Sequence, residues 1–142
     1  MVVNSVKMGD VFIGRLDHGA DLLDAPTSFC ASKSVKLGWV HAIGAVQKAR
    51  VGYYDQDNKK YEFIEYNRHL EILALTGNVS LRDGKPMVHA HVTLSDDKGN
   101  AFGGHLAPGT VVFACEFCVQ ALDGADLVRE PEGKTGLPLW RE

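Results

Sequence analysis

The 142-residue sequence predicts one α+β domain with a mainly antiparallel sheet and one principal helix. Only one segment has the apolar spacing of a helix, whereas many segments have the apolar runs or alternation of strands. The turns between them are short and rich in Gly, Asp and Asn. With 45% hydrophobic and 23% charged residues, a chain of this length can bury a core without a metal or disulfide.

The first half of the chain contains the helix and the first strands. Residues 11–16 (VFIGRL) predict a strand. A helix is expected after Asp21, an N-cap candidate, and Pro26 either distorts its first turn or delays its start. The Gly-interrupted apolar run 38–46 predicts a strand with a bulge or a close backbone approach, and residues 49–55 predict a separate strand.

The second half predicts five further strands and a tail. The strands are expected over residues 61–66, 70–81, 87–95, 101–106 and 110–122. The domain is therefore expected to span residues 1–122. Residues 123–142 are charged and rich in Pro and Gly, and they form a tail that is either partly mobile or docked through its apolar residues Leu137, Leu139 and Trp140.

Charge and cysteine content narrow the classes of function. The formal net charge is −3, from 15 basic and 18 acidic residues, and no Lys/Arg run offers the basic face that a DNA backbone requires. Three cysteines are an odd number at no disulfide spacing, which predicts a reducing, cytoplasmic compartment. The N-terminal segment lacks the apolar core of a signal peptide, and no stretch approaches the roughly 20 apolar residues of a membrane helix.

The sharpest functional signal is a trio of histidines within residues 88–105 (VHAHVTLSDDKGNAFGGH). His89 and His91 are two residues apart in one predicted strand, so their side chains share a face. A three-residue turn that ends in a left-handed Gly99 would place His105 directly opposite His91. A slip of one residue would instead turn His105 to the other face.

Three imidazoles on one face predict a metal site, with zinc as the expected ion. Three protein ligands with an open fourth position are the pattern of a catalytic zinc site, and Gly103 and Gly104 are expected to leave room for a ligand there. The alternative is a chance cluster of histidines on a solvated face. His18, His41 and His69 are not expected to be ligands: the first lies in an exposed turn, and the second in the core or an interface.

Acidic and thiol side chains in the apolar strands have ordinary structural explanations. Cys115 and Cys118 are three positions apart in a strand and face opposite sides, so they are expected to pack as small hydrophobic residues. Glu71 and Glu116 each either face solvent or serve as a buried general base, and parity alone does not decide between these interpretations.

Several of these segments together resemble the PPC domain, the plants-and-prokaryotes conserved domain. The similarity runs collinearly from about residue 8 to residue 122. It is carried by GWVHAIGAV, ARVGYYD, LEILALTGNVSLRDGKP, VHAHVTLSDDKGNAFGGHL and the strand that contains Glu116. His41 and Pro26 depart from the residues that are usual in the family.

The resemblance implies a stand-alone prokaryotic member of this family that forms a homotrimer with an acetolactate-decarboxylase-like architecture. It also implies a metal at His89, His91 and His105. Plant members carry the domain after DNA-binding AT-hook segments, and prokaryotic members are often labelled as DNA-binding. This sequence contains no AT-hook motif, and its acidic balance does not support DNA as a partner.

Two functions compete at this point. The first is a zinc-dependent enzyme for a small polar or carbonyl compound, with acid/base or supporting candidates at Glu71, Asn78, Arg82 and Glu116. The second is a trimeric DNA-binding or regulatory module that carries a structural metal. The open coordination position favours the first and the family's domain context favours the second.

Overall fold

The computed structural model describes residues 1–141, which form one α-helix and nine β-strands. Helix α1 (Asp24–Ser32) lies between the first two strands in the sequence. The strands are β1 (Lys7–Leu16), β2 (Gly38–Asp55), β3 (Lys60–Tyr66), β4 (Leu70–Arg82), β5 (Lys85–Ser95), β6 (Ala101–Leu106), β7 (Val111–Asp123), β8 (Arg129–Pro131) and β9 (Pro138–Trp140). The predicted α+β class, with a mainly antiparallel sheet and a single helix, is confirmed.

Seven strands form one sheet in the order β1-β7-β2-β4-β5-β6, and β3 pairs with the second half of β2. The first half of β2 pairs with β4, while its second half also pairs with β6 at Val51–Leu106 and Gly52–His105. Because β2 borders both ends of the β4–β5–β6 run, the sheet curls upon itself. The histidine-bearing strands lie in this curled part.

Bulges allow β2 to bend without ending. Its register with β4 shifts between Ala42 and Gly44, and its register with β7 shifts after Ala45. Gly44 has a φ of +145°, and a Cβ at this position would meet the carbonyl oxygen of Ala114. The predicted bulge and close backbone approach are confirmed. The prediction of two separate strands is wrong, because the bulges absorb the change of direction within one continuous strand.

The inner face of the sheet carries the core and receives the helix. Leu22 and Cys30 are fully buried there. Phe29 of α1 packs edge-on against Phe12 and Phe117, with ring centroids 5.3 and 5.5 Å apart. These contacts anchor α1 to β1 and β7, and they leave the opposite face of the sheet free for other roles.

The helix begins later than its predicted cap. A side-chain oxygen of Asp21 accepts hydrogen bonds from the backbone amides of Leu23 and Asp24 at 2.9 and 3.0 Å. The helical segment then starts at Asp24, so Pro26 lies in the first turn, where its missing N–H is not needed. Within residues 1–141 no helix has the length and apolar character needed to cross a membrane.

The outer face of the sheet carries the histidines. Directly opposed residues share a face, and one such row crosses the sheet through Ile13, Cys118, His41, Thr76, His91 and His105. His91 and His105 therefore point away from the core. His41 is exposed in the single chain, so its predicted core position is wrong, while an interface position stays a prediction.

The tail folds back over this outer face. It forms the β8–β9 hairpin, and the amide of Leu81 in β4 donates to the carbonyl of Leu127 at 2.9 Å. The hydroxyl of Tyr54 in β2 donates to the carbonyl of Thr135 at 2.6 Å. These bonds hold the hairpin beside the histidine-bearing strands.

Gly44→Ala should lower the free energy of unfolding by about 2 kcal/mol or more, because alanine is strained at this φ and its Cβ meets the Ala114 carbonyl. Gly133→Ala is the matched control, since a Cβ there meets no described atom within 4 Å. Denaturant unfolding of both variants measures the difference. Equal midpoints would contradict a close-packed bulge at Gly44.

Candidate metal centre

The turn between β5 and β6 is organised by Asp96. Its amide donates to the carbonyl of Asn100 at 3.2 Å, and its carboxylate accepts from the amides of Lys98 and Asn100 at 3.0 and 2.9 Å. Gly99 has a φ of +77°, the left-handed conformation that glycine adopts without strain. The predicted three-residue turn is therefore confirmed.

This turn sets the register that brings the histidines together. His91 pairs with His105, as predicted. The ring centroids of His89 and His105 are 5.1 Å apart, and the other two pairs are 5.4 Å apart. One ring nitrogen from each histidine lies within 4.8 Å of the others. The three side chains form a cluster within reach of one ion.

The ring nitrogens of the cluster suit metal ligation. Burial lowers the pKa of His89 to about 4, with a further contribution from the nearby charge of Arg129. Burial likewise lowers the pKa of His105 to about 4, so both rings are neutral near pH 7, as ligation requires. Nδ1 of His105 is buried and has no hydrogen-bond partner among the described residues. A set of three imidazoles, with one buried nitrogen that has no partner among the described residues, fits a zinc-type site.

Arg129, at the start of β8, borders the cluster on the tail side. Its Nε donates to Ser80 Oγ at 2.9 Å, Nη1 to the carbonyl of Pro138 at 3.1 Å, and Nη2 to Asn78 Oδ1 at 2.9 Å. Nη2 also lies 3.3 Å from Nδ1 of His89. No ion pair within residues 1–141 includes this guanidinium.

The histidines line an open cavity of about 800 Å³. The ring of Tyr61 lies 4.7 Å from the ring of His105, and burial raises the pKa of its phenol. The described lining contains no Asp or Glu, but it includes five basic residues, Lys59, Lys60, Arg82, Arg129 and Lys134. The cavity is thus locally positive in a chain whose net charge is −3.

Two of the predicted supporting residues lie at this site. Arg82 lines the cavity with the histidines. Asn78 pairs with His89 across β4 and β5, and its side chain holds Arg129. Both positions are compatible with a role in ligand binding.

The two glutamates lie elsewhere within one chain. Neither lines the cavity. Glu71 precedes Thr76, the partner of His91, by five positions in β4, which is about 16 Å along a strand. Glu116 is on β7, three strand spacings from β5, which is about 14 Å across a sheet. An acid/base role for Glu71 and Glu116 stays a prediction that the geometry of the single chain does not favour.

The two glycines beside His105 serve strand packing. A Cβ at Gly103 would meet the carbonyl of Val92, and a Cβ at Gly104 would lie 2.8 Å from the carbonyl oxygen of Gly52. The expectation that these glycines leave room for a ligand is wrong, because the backbones of β5 and β2 occupy that space.

The remaining thiols and histidines lie outside the cluster. Cys115 is buried and Cys118 half-buried, on opposite faces of β7 as predicted. Burial raises the pKa of Cys115 to about 11, which leaves an unreactive protonated thiol. His18 is exposed, as predicted, and so is His69.

Sequence reasoning missed Arg129 and Tyr61 as residues of the site. Arg129 lies in the segment whose charge and Pro/Gly content predict a tail, so it was not expected at the site. The signal that predicts its hairpin is a pair of short apolar segments, residues 127–128 and 137–140, on either side of Gly133-Lys134-Thr135-Gly136.

Fold and site together define a small α+β domain with a histidine cluster on the outer face of a curled sheet. The model of the Plants and Prokaryotes Conserved (PCC) domain matches residues 3–123. The chain therefore belongs to this family, which is the PPC family that its motifs resemble.

Solved structures with the same fold include a metal-containing protein, AF0104, from Archaeoglobus fulgidus. It is 44% identical, with a TM-score of 0.95 over 100% of both chains. A PPC protein from Pyrococcus horikoshii is 37% identical, with a TM-score of 0.94 over 100% of this chain and 98% of that chain. A candidate DNA-binding protein from Bacteroides thetaiotaomicron is 25% identical, with a TM-score of 0.86 over 97% and 96% of the two chains.

A curated relative is the bifunctional protein GlmU of Synechococcus sp. (strain JA-3-3Ab), which is 33% identical over 125 residues. The match covers 86% of this chain and 19% of the relative, so the chain spans about a fifth of that protein's length. Arg129 and the β8–β9 hairpin lie beyond residue 123, where the match to the family model ends.

The metal-free protein should lose stability as the pH falls from about 6.5 toward 4. The pKa of His89 and of His105 is about 4 in the folded chain, so in this window the unfolded chain binds more protons. Because solvent screens these partly exposed rings, each group should contribute about 2 kcal/mol of lost stability in this window, less than the full linkage value, and none above it.

Denaturant unfolding of chelator-treated protein at several pH values measures this loss. Because carboxylates titrate in the same window, the informative comparison is with His105→Gln, whose decline should be shallower than that of the wild type. His69→Gln, at an exposed position, is the control and should follow the wild type. Equal slopes for wild type and His105→Gln would contradict the lowered pKa of His105.

Proposed function

We propose that this chain binds zinc through His89, His91 and His105 and uses it to hold and activate a small polar or carbonyl compound. The observation that carries this proposal is the convergence of three imidazoles on the wall of an open cavity of about 800 Å³. The relative from Archaeoglobus fulgidus is a metal-containing protein. Zinc is the ion that we propose, because three neutral imidazoles are a common zinc ligand set.

The chain's own residues would orient the compound. Bound zinc would supply Lewis-acid polarisation of an oxygen of the compound. The guanidinium of Arg129 lies beside His89 and offers a positive charge. Because the pKa of Tyr61 is raised, its phenol stays protonated at neutral pH and can donate a hydrogen bond in the cavity. The active-site candidates that we favour are therefore Arg129 and Tyr61, with Arg82 nearby.

We also propose the acetolactate-decarboxylase-like architecture that the family resemblance implies. This is an analogy of fold and histidine count, and a shared fold does not transfer a substrate. A cytoplasmic location is proposed from the three free cysteines, which suit a reducing compartment.

The alternative function is a trimeric DNA-binding or regulatory module with a structural metal. The relative from Bacteroides thetaiotaomicron is a candidate DNA-binding protein. The net charge of −3 opposes this alternative, because affinity for the DNA backbone comes from counterions released by basic residues. A salt titration distinguishes the two: submicromolar binding of duplex DNA at physiological salt, with a steep salt slope, would favour the alternative.

We propose a homotrimer that buries the outer face of β1, β2 and β7. The side chains of Ile13 and Ile43 are 86% and 57% exposed in the single chain. They line a largely apolar groove together with His41, Glu116 and Cys118. Exposed apolar patches of this kind are typical of protein interfaces. Assembly here would also account for an exposed histidine within an apolar strand.

Light scattering at micromolar concentration should give about three times the chain mass of 15.5 kDa. Ile13→Glu should yield a smaller species, because a charge in this groove opposes its burial. The matched control is Ile64→Glu, since Ile64 is also exposed but lies outside the groove, and this variant should keep the wild-type mass. A monomeric wild type would rule out the trimer.

Elemental analysis of zinc-loaded and dialysed protein should find about one zinc per chain. His91→Ala should hold almost none, because two imidazoles do not make a stable site. His18→Ala should keep the wild-type zinc content, since His18 is exposed and outside the cluster. The proposed site is wrong if the wild type holds no zinc or if His91→Ala keeps full occupancy.

A further inference from the structure

We infer that the cavity selects small molecules with two anionic groups, and that Arg129 recognises the group nearer the histidines. This inference rests on the proposed zinc site and deepens it by naming the class of ligand. The first observation is the charge of the cavity: its described lining has five basic side chains and no carboxylate, although acidic residues outnumber basic ones in the whole chain.

A metal would increase this imbalance. Neutral imidazoles bring no negative charge to offset a divalent cation, and the neighbouring guanidinium adds a further positive charge. Charges that are partly withdrawn from water are costly unless an opposite charge compensates them. Since residues 1–141 place no acidic side chain in the lining, an anionic ligand is the natural source of compensation.

The contacts of Arg129 orient it without neutralising it. Its three oxygen partners among the described residues are the Ser80 hydroxyl, the Asn78 amide and the Pro138 carbonyl, and all three are uncharged. These contacts and the approach to His89 engage at most four of the five N–H groups of the guanidinium, so one on Nη1 has no partner among the described residues. A half-buried, pre-oriented arginine that has no ionic partner within residues 1–141 is suited to binding an oxyanion.

A second anionic group would meet the more exposed part of the lining. Among the described residues, Lys60 and Arg82 make only solvent-exposed ion pairs, with Glu62 at 3.6 Å and Asp83 at 3.9 Å. Exposed pairs of this kind contribute little, so both charges are available to a ligand. Lys134 forms no ion pair with any described residue and lines the same cavity. Positive charge therefore extends from Arg129 to the open side, which suits a dianion better than a monoanion.

The test uses protein loaded with cobalt(II) in place of zinc, because its visible absorption reports a new ligand at the metal. The probes are malonate, with two carboxylates, sulfoacetate, with a sulfonate and a carboxylate, and malonamide, an uncharged analogue of malonate. At least one dianion should bind ten times more tightly than malonamide, and the comparison of the two dianions identifies the preferred oxyanion. Weak binding of both dianions, or equal binding of malonamide, would overturn the inference.

Variants separate this inference from the metal site itself. Cobalt content is measured first, and a wild type that holds no cobalt removes the metal site and this inference together. Arg129→Gln should retain cobalt but bind the preferred dianion at least ten times more weakly. Lys48→Gln is the matched control, because Lys48 is exposed, lies outside the cavity and forms no ion pair with any described residue, and this variant should bind like the wild type.

Arg129→Gln also removes hydrogen bonds that hold the tail, so a second variant is needed. Lys134→Gln removes a positive charge from the cavity and leaves the hydrogen bonds of Arg129 in place. It should weaken binding of the preferred dianion several-fold and leave acetate, a monoanion, unaffected. If cobalt-loaded Arg129→Gln and Lys134→Gln both bind the dianion as the wild type does, the inference is wrong while the metal site stands.

Discussion

The Asp96-centred turn between β5 and β6 is the constraint on which the site depends. Its carboxylate bonds to the amides of Lys98 and Asn100 hold a three-residue turn that puts His105 opposite His91. A register shifted by one residue would turn the side chain of His105 to the core face, and the three histidines would no longer form a cluster. Pairing of β6 with β2 at Gly52 adds a second restraint on His105, so the histidine is held between two neighbouring strands.

The core and the site lie on opposite faces of the curled sheet, because successive side chains of a strand point to opposite sides. Alternate residues of the same strands face either α1 and the apolar core or the outer surface that carries the histidines. The bulges of β2 make the curl possible, and they bring the second half of that strand beside β6. The site is therefore built on regular, mutually restrained strands, which suits a metal centre that requires its donors at fixed separations.

The electrostatic character of the site comes from burial and from the tail. Partial burial keeps His89 and His105 neutral by lowering the pKa of each ring, so the imidazoles are available as donors. The tail then supplies Arg129 and Lys134 to a cavity that already contains basic residues of β3 and β4. Since the family match ends at residue 123, this part of the positive charge comes from outside the matched domain.

Local sequence determined the fold class, the turn at Gly99 and the meeting of His91 with His105, because strand parity and turn length act over a few neighbouring residues. Tertiary structure alone decided that β2 is one bent strand, that Glu71 and Glu116 lie away from the cluster, and that Arg129 lies beside it. Those outcomes depend on how the sheet curls and where the tail docks. Contacts between residues far apart in the chain set both, and no local pattern encodes them.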